Sequence, residues 1–225
     1  MTGAAMRRGR LDVRFQRPET TGTSGLYRLG PEDDRDGLLL VPGGYIPERP
    51  TPLLVMLHGA GGSAQHGLSY VLEAVEPEGM ILLAPESRGQ TWDIIASGYG
   101  PDVELINRLL GEVFSRYTVD PRHLAIGGFS DGASYALSLG VANGDFFTHI
   151  IAFAPGSMAP MEIHGKPRIF IAHGKQDAVL PIDRCSRRIV PQLRERGYDT
   201  AYHEFEGGHS VPAGIARAAV TWFLG

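Results

Sequence analysis

Apolar residues fall into short blocks along this chain, and their spacing changes partway. Leu11 to Phe15, Leu26 to Leu29 and Leu38 to Val41 come first, as three short extended segments. Charged, turn-rich stretches such as residues 31–37 separate them. Residues 42–52 form a connection rich in Pro and Gly. Beyond it the pattern alternates. Leu53 to Leu57 is apolar at every position, as in a strand buried on both faces. A helix is predicted over about His66 to Val75, and another strand over Met80 to Ala84. Val103, Ile106, Leu109, Leu110, Val113 and Phe114 share one stripe, which predicts a helix from Val103 to Tyr117. Leu124 to Ile126 reads as a strand and Ala133 to Val141 as a helix. Ile150 to Ala154 and Arg168 to Ala172 read as strands, Pro181 to Arg196 as a helix. Thr200 to Phe205 alternates like an edge strand, and Val211 to Leu224 is the final helix.

Strand and helix in alternation predict an α/β protein. The central sheet should be mostly parallel and covered on both faces, with antiparallel strands at its start. The 225 residues suit one domain, 1–225, with a full core. No insertion is long enough for a large cap domain.

Bulk composition removes several function classes. Hydrophobic residues make up 43% and charged residues 20%, as in an ordinary globular chain. The net charge is −4, and the only basic cluster is Arg7-Arg8-Gly9-Arg10, so no nucleic-acid partner is expected. A single cysteine, Cys185, leaves no intrachain disulfide and no cysteine-rich metal site. No pair of histidines has metal-ligand spacing with a carboxylate, so no metal is expected. No apolar run is long enough to span a bilayer, and the N-terminus has no signal-peptide core, so the expected location is cytoplasmic.

In parallel sheets, chemistry gathers at the carboxyl ends of the strands. After Leu124 to Ile126 comes Gly127-Gly128-Phe129-Ser130-Asp131-Gly132-Ala133. This holds Gly-x-Ser-x-Gly between a strand and a helix, the setting that lifts a serine hydroxyl clear of a sheet. With 30 Gly in the chain, chance alone places that pattern in roughly one such sequence in five, so the motif needs company.

Three further strand ends supply it. After Leu53 to Leu57 comes His58-Gly59-Ala60-Gly61-Gly62-Ser63. A backbone N–H here and the N–H of Asp131 can together hold a developing oxyanion. Ala60 is the expected donor, with Gly61 as the alternative. After Arg168 to Ala172 comes His173-Gly174-Lys175-Gln176-Asp177. Asp177 is placed to orient a histidine ring, whereas Asp183 suits a helix cap. After Thr200 to Phe205 comes Gly207-Gly208-His209. His209 is the expected general base, which predicts activity that climbs from acid toward neutral pH, since a free histidine titrates near 6.5. His58 and His173 sit in His-Gly turns and are expected to shape the site without moving protons.

A second reading competes for the glycine loop. Gly59 to Ala64 also fits Gly-x-Gly-x-x-Ala, and Glu86 ends the next strand, as in a dinucleotide-dependent oxidoreductase. That reading leaves Ser130, Asp177 and His209 unused. A non-enzymatic binding protein on the same fold is a third possibility.

The order Ser130, Asp177, His209 resembles the α/β-hydrolase superfamily over almost the whole chain. The four loops quoted above are similar to those of the phospholipase/carboxylesterase group. They also resemble esterases of the polyhydroxybutyrate depolymerase and feruloyl esterase types. The resemblance implies an α/β-hydrolase fold with about eight strands, hydrolysis of carboxylic esters through an acyl-enzyme on Ser130, a small-molecule ester substrate and no cofactor. Thioesterase and lysophospholipase activity use the same machinery and stay open, as does oligomeric state. Arg88 to Asp93 is expected to form one wall of a shallow site, with Trp92 against the substrate and Tyr99 and Met158 as further wall residues. The Asp131 carboxylate either complements a helix N-terminus or disfavours anionic substrates.

Overall fold

A computed structural model describes residues 3–30, 36–96 and 98–225. In chain order the elements are α1 (Gly3–Met6), β1 (Gly25–Leu29), β2 (Gly37–Val41), β3 (Thr51–Leu57), α2 (Ala64–Ser69), α3 (Leu72–Val75), β4 (Ile81–Pro85), α4 (Asp93–Ala96), α5 (Pro101–Arg116), β5 (Val119–Phe129), α6 (Asp131–Ala142), β6 (His149–Phe153), β7 (Arg168–Gly174), α7 (Ser186–Glu195), β8 (Thr200–Phe205) and α8 (Ala213–Leu224).

The strands form one eight-stranded sheet in the order β1-β2-β4-β3-β5-β6-β7-β8. The pairs β1–β2 and β2–β4 are antiparallel. Every pair from β4–β3 across to β7–β8 is parallel. The carboxyl ends of β3, β5, β7 and β8 therefore share one rim, and the four loops singled out in the sequence all leave from it.

Alternation along β3 divides the core in two. Leu53, Val55 and Leu57 pack with α5, α6 and α7 on one face, while Leu54 and Met56 pack with α2, α3 and α8 on the other. Both sides of a central strand are thus apolar, the cause of its unbroken hydrophobic run. The connection from β6 to β7, residues 154–167, carries no helix.

Three expectations need correction. Leu11 to Phe15 is not a strand. Its amides are taken by side chains instead: Leu11 N–H by Asn143 Oδ1, and those of Asp12 and Val13 by Asn107 Oδ1, each at 2.9 Å. The segment thereby fastens to α5 and to the residue that caps α6, without a sheet partner. The helix expected over His66 to Val75 is two short ones, broken at Tyr70 and Val71, where Val71 leaves helical geometry (φ −132°, ψ −1°). The helix expected from Pro181 begins at Ser186 after a run of turns. The charged turn at 31–37 falls outside the described residues at positions 31–35.

Candidate active site

Ser130 joins β5 to α6 with φ 58° and ψ −120°, a left-handed backbone that a residue with a Cβ rarely adopts. Its amide donates to Phe153 O at 2.9 Å, which ties the turn to β6. The flanking glycines make the turn possible. A Cβ on Gly128 would collide with Gly132, and one on Gly132 would collide with the carbonyl oxygens of Leu57 and His58. Helix α6 can therefore press against the end of β3 only if both positions lack side chains. Ser134, one turn along, braces the same corner. Its hydroxyl accepts from Gly156 N–H at 2.9 Å and lies 3.3 Å from Ser130 O.

The structure brings Ser130, His209 and Asp177 together from three loops. His209 Nε2 lies 2.9 Å from Ser130 Oγ, and His209 Nδ1 lies 2.6 Å from Asp177 Oδ2. The other carboxylate oxygen, Asp177 Oδ1, accepts the amides of Val179 at 2.9 Å and Leu180 at 2.8 Å. Burial alone would push the Asp177 carboxyl up. The hydrogen bond from His209 and the two amides outweigh it and hold the group below its ordinary value. Gly174 lets the two outer loops meet, because a Cβ there would strike the carbonyls of Gly207 and Gly208.

The glycine loop after β3 is held from below. Ser87 N–H donates to His58 Nε2 at 3.0 Å, so Nδ1 carries the hydrogen and donates to Gly59 O at 2.8 Å. Burial lowers the His58 pKa, consistent with a neutral ring. Gly61 N–H donates to Gln90 O at 2.6 Å and Gly62 N–H to Gly59 O at 3.0 Å. Among the described residues the amide of Ala60, an exposed residue, has no hydrogen-bond acceptor. Asp131 opens α6, where a helix leaves its amides without intrahelical partners. Its carboxylate is turned to Thr91, whose hydroxyl donates to Oδ2 at 2.7 Å. Glu86 is also engaged, since its Oε2 accepts Ala64 N–H at the start of α2 at 3.1 Å. The dinucleotide reading needs that carboxylate for a ribose.

A cavity of about 360 Å³ opens over Ser130 and His209, lined by the glycine loop, His66, Tyr70, Phe129 and Val179. Phe129 is packed between Tyr70 and His209, with ring centroids at 5.0 and 4.6 Å. Val179 is 65% exposed at the rim. The residues expected as walls lie elsewhere. Trp92 is fully buried, stacks on Tyr135 and donates its indole N–H to His58 O at 2.8 Å, so it supports the loop from beneath. Tyr99 is buried against Tyr135. Met158 is half-buried and packs on the hydrophobic core. None of the three lines the cavity.

Sequence reasoning also missed the carboxylates that fix the Arg88 to Asp93 loop. Asp102 accepts the amides of Arg88 at 2.7 Å and Asp93 at 2.8 Å, and Asp93 returns the contact by accepting the Asp102 amide at 2.9 Å. Two acids nine residues apart around a Pro-led helix start were the available signal. Among the described residues, no group of three or more His, Cys, Asp or Glu side chains is placed to hold a metal ion, and no helix is long and apolar enough to cross a membrane.

This sheet order, the serine corner and the three-loop cluster are those of the α/β-hydrolase fold. Solved esterases share the fold. Esterase PE8 superposes with a TM-score of 0.68 at 23% identity, over 84% of this chain and 97% of that one. The ferulic acid esterase of Anaeromyces mucronatus, solved in complex with ferulic acid, gives 0.61 at 18% identity over 80% and 81% of the two chains. In sequence the chain is similar to a protein described as probable feruloyl esterase C of Aspergillus flavus. The two are 30% identical over 173 residues, which is 73% of this chain and 62% of the fungal one. The match thus spans about three-fifths of that relative's length. No family model matches the sequence.

Proposed function

We propose that the protein is a serine esterase that cleaves small carboxylic esters through an acyl-enzyme. The observation that carries this reading is the unbroken line of contacts from Ser130 Oγ through both nitrogens of His209 to Asp177, at 2.9 and 2.6 Å. Ser130 attacks the ester carbonyl as His209 Nε2 takes its proton. Asp177 keeps the histidine in the tautomer with its hydrogen on Nδ1 and stabilises the imidazolium as it forms. The amides of Ala60 and Asp131 hold the tetrahedral oxyanion. His209 then protonates the departing alcohol. Water, activated by the same histidine, attacks the acyl-enzyme and releases the acid.

The cavity favours a compact acyl group. Its volume of about 360 Å³ stands at the small end for ligand sites, and Tyr70 and Phe129 give it aromatic flat surfaces. A hydroxycinnamoyl group matches both properties and agrees with the feruloyl esterases among the relatives. A long acyl chain, as in a lysophospholipid, would have to lie mostly outside the cavity.

The test is a comparison of kcat/KM for methyl ferulate, p-nitrophenyl acetate, p-nitrophenyl palmitate and an acyl thioester. The expected result is ester cleavage with the palmitate slowest and methyl ferulate turned over. Preference for the palmitate would overturn the compact-acyl reading. Failure to cleave any ester, with no labelling of Ser130 by a fluorophosphonate, would overturn the esterase reading itself.

A further inference from the structure

A second histidine touches the acid of the cluster. His173 lies near the end of β7 and its side chain is fully buried, as is that of Asp177. Its Nε2 lies 2.8 Å from Leu180 O and 3.2 Å from Asp177 Oδ2, and its Nδ1 lies 2.6 Å from Ser186 Oγ. A carbonyl oxygen only accepts, so Nε2 carries the hydrogen. Nδ1 then accepts from the Ser186 hydroxyl at the first turn of α7. Burial pushes the pKa of His173 down, consistent with the neutral ring this arrangement requires.

That N–H is directed at Leu180 O, and Asp177 Oδ2, on the same loop, lies in close contact with the same nitrogen. The Asp177 oxygen nearest Nε2 is Oδ2, the same one that takes the Nδ1 hydrogen of His209. The two amides of Val179 and Leu180 hold the other oxygen. His173 thus sets its Nε2 edge against the carboxylate and donates to the Leu180 carbonyl, which fixes the loop that supplies one of those amides. Packing alone would need a ring of this size; it would not need the hydrogen that Nε2 donates to the Leu180 carbonyl.

We propose that His173 is a positioning residue for the acid. Its Nε2–H, anchored from behind by Ser186, holds the Leu180 carbonyl and with it the loop whose amides keep Asp177 Oδ2 turned toward His209. This rests on the triad reading above. A buried carbonyl left without its donor is costly, so loss of this bond loosens the loop and leaves the carboxylate freer to turn away from His209.

The test measures kcat and KM for ester hydrolysis in His173→Leu, His173→Gln and Ser186→Ala, each in the parent and in Asp177→Asn, with Ser130→Ala alongside. His173→Leu should lower kcat by about 10–100-fold with KM nearly unchanged. His173→Gln, which keeps an N–H donor, should recover most of that loss. In Asp177→Asn, His173→Leu should add almost nothing, because the group it positions is gone. If His173→Leu does not fold, Ser186→Ala should still lower kcat, by about 3–10-fold, and do so only when Asp177 is present. An unchanged kcat in the folded variants, or an equal loss with and without Asp177, would overturn the positioning role. Persistent activity in Ser130→Ala would instead overturn the triad reading on which it rests.

Discussion

The amide of Gly61 donates to the carbonyl oxygen of Gln90 at 2.6 Å. An N–H engaged this way is closed to substrate, which favours Ala60 over Gly61 as the proposed oxyanion donor. Ala60, one residue earlier, keeps its amide open on the exposed side of the loop. Replacing Ala60 with Pro removes that N–H. The expected result is a fall in kcat of about 10²–10³-fold with the melting temperature preserved. Steady-state kinetics beside a thermal melt check it, and an unchanged kcat would remove Ala60 from the oxyanion site.

The corner that carries Ser130 depends on close approach. A methyl group on Gly132 would run into the carbonyls of Leu57 and His58, which belong to rigid parts of β3 and its following loop. Backbone cannot yield there as a flexible side chain would. Gly132→Ala is expected to destabilise the fold by about 1–3 kcal/mol or more and to depress activity by displacing α6. A urea midpoint equal to that of the parent would contradict the packing argument.

Acid should weaken the fold through its buried histidines. His149 sits among Trp222, Phe223 and the parallel ring of His123. Burial, with help from the charge of Arg168 and from His123, pushes its pKa down to about 4. The unfolded chain takes up this proton near 6.5 and the folded one does not until about 4. Unfolded protein therefore binds more protons in that window, so stability is full above pH 6.5 and declines as pH falls toward 4. His58 and His173 are depressed in the same direction. Urea midpoints at pH 7 and pH 5 should differ clearly in the parent and less in His149→Phe. Equal differences in the two would show that His149 does not contribute.

Much of this arrangement can be read from the sequence because backbone geometry enforces it. Gly128 and Gly132 must lack side chains, Ser130 must follow a strand, and the loops bearing Asp177 and His209 must leave the same rim of a parallel sheet. These constraints act over a few residues each and leave local marks. The walls of the cavity leave none. Tyr70, at the end of α2, and Phe129, just before the nucleophile corner, both line the cavity, and neither is marked by spacing. Trp92 shows the converse. An aromatic residue in a rim loop looks like a wall, but whether it faces outward or under the loop depends on Tyr135 and His58, which are distant in sequence. Leu11 to Phe15 looked like a strand because extended backbone and apolar residues occur together there. Its partners proved to be the Asn107 and Asn143 side chains, which no hydrophobic pattern reports.

Ester cleavage in this protein rests on Ser130 as the nucleophile. The most direct measurement is the turnover of a p-nitrophenyl ester by Ser130→Ala, with folding verified by circular dichroism. The predicted result is a loss of about 10⁵–10⁶-fold in kcat, with Asp177→Asn falling by about 10⁴-fold. Turnover by Ser130→Ala within tenfold of the parent would contradict it.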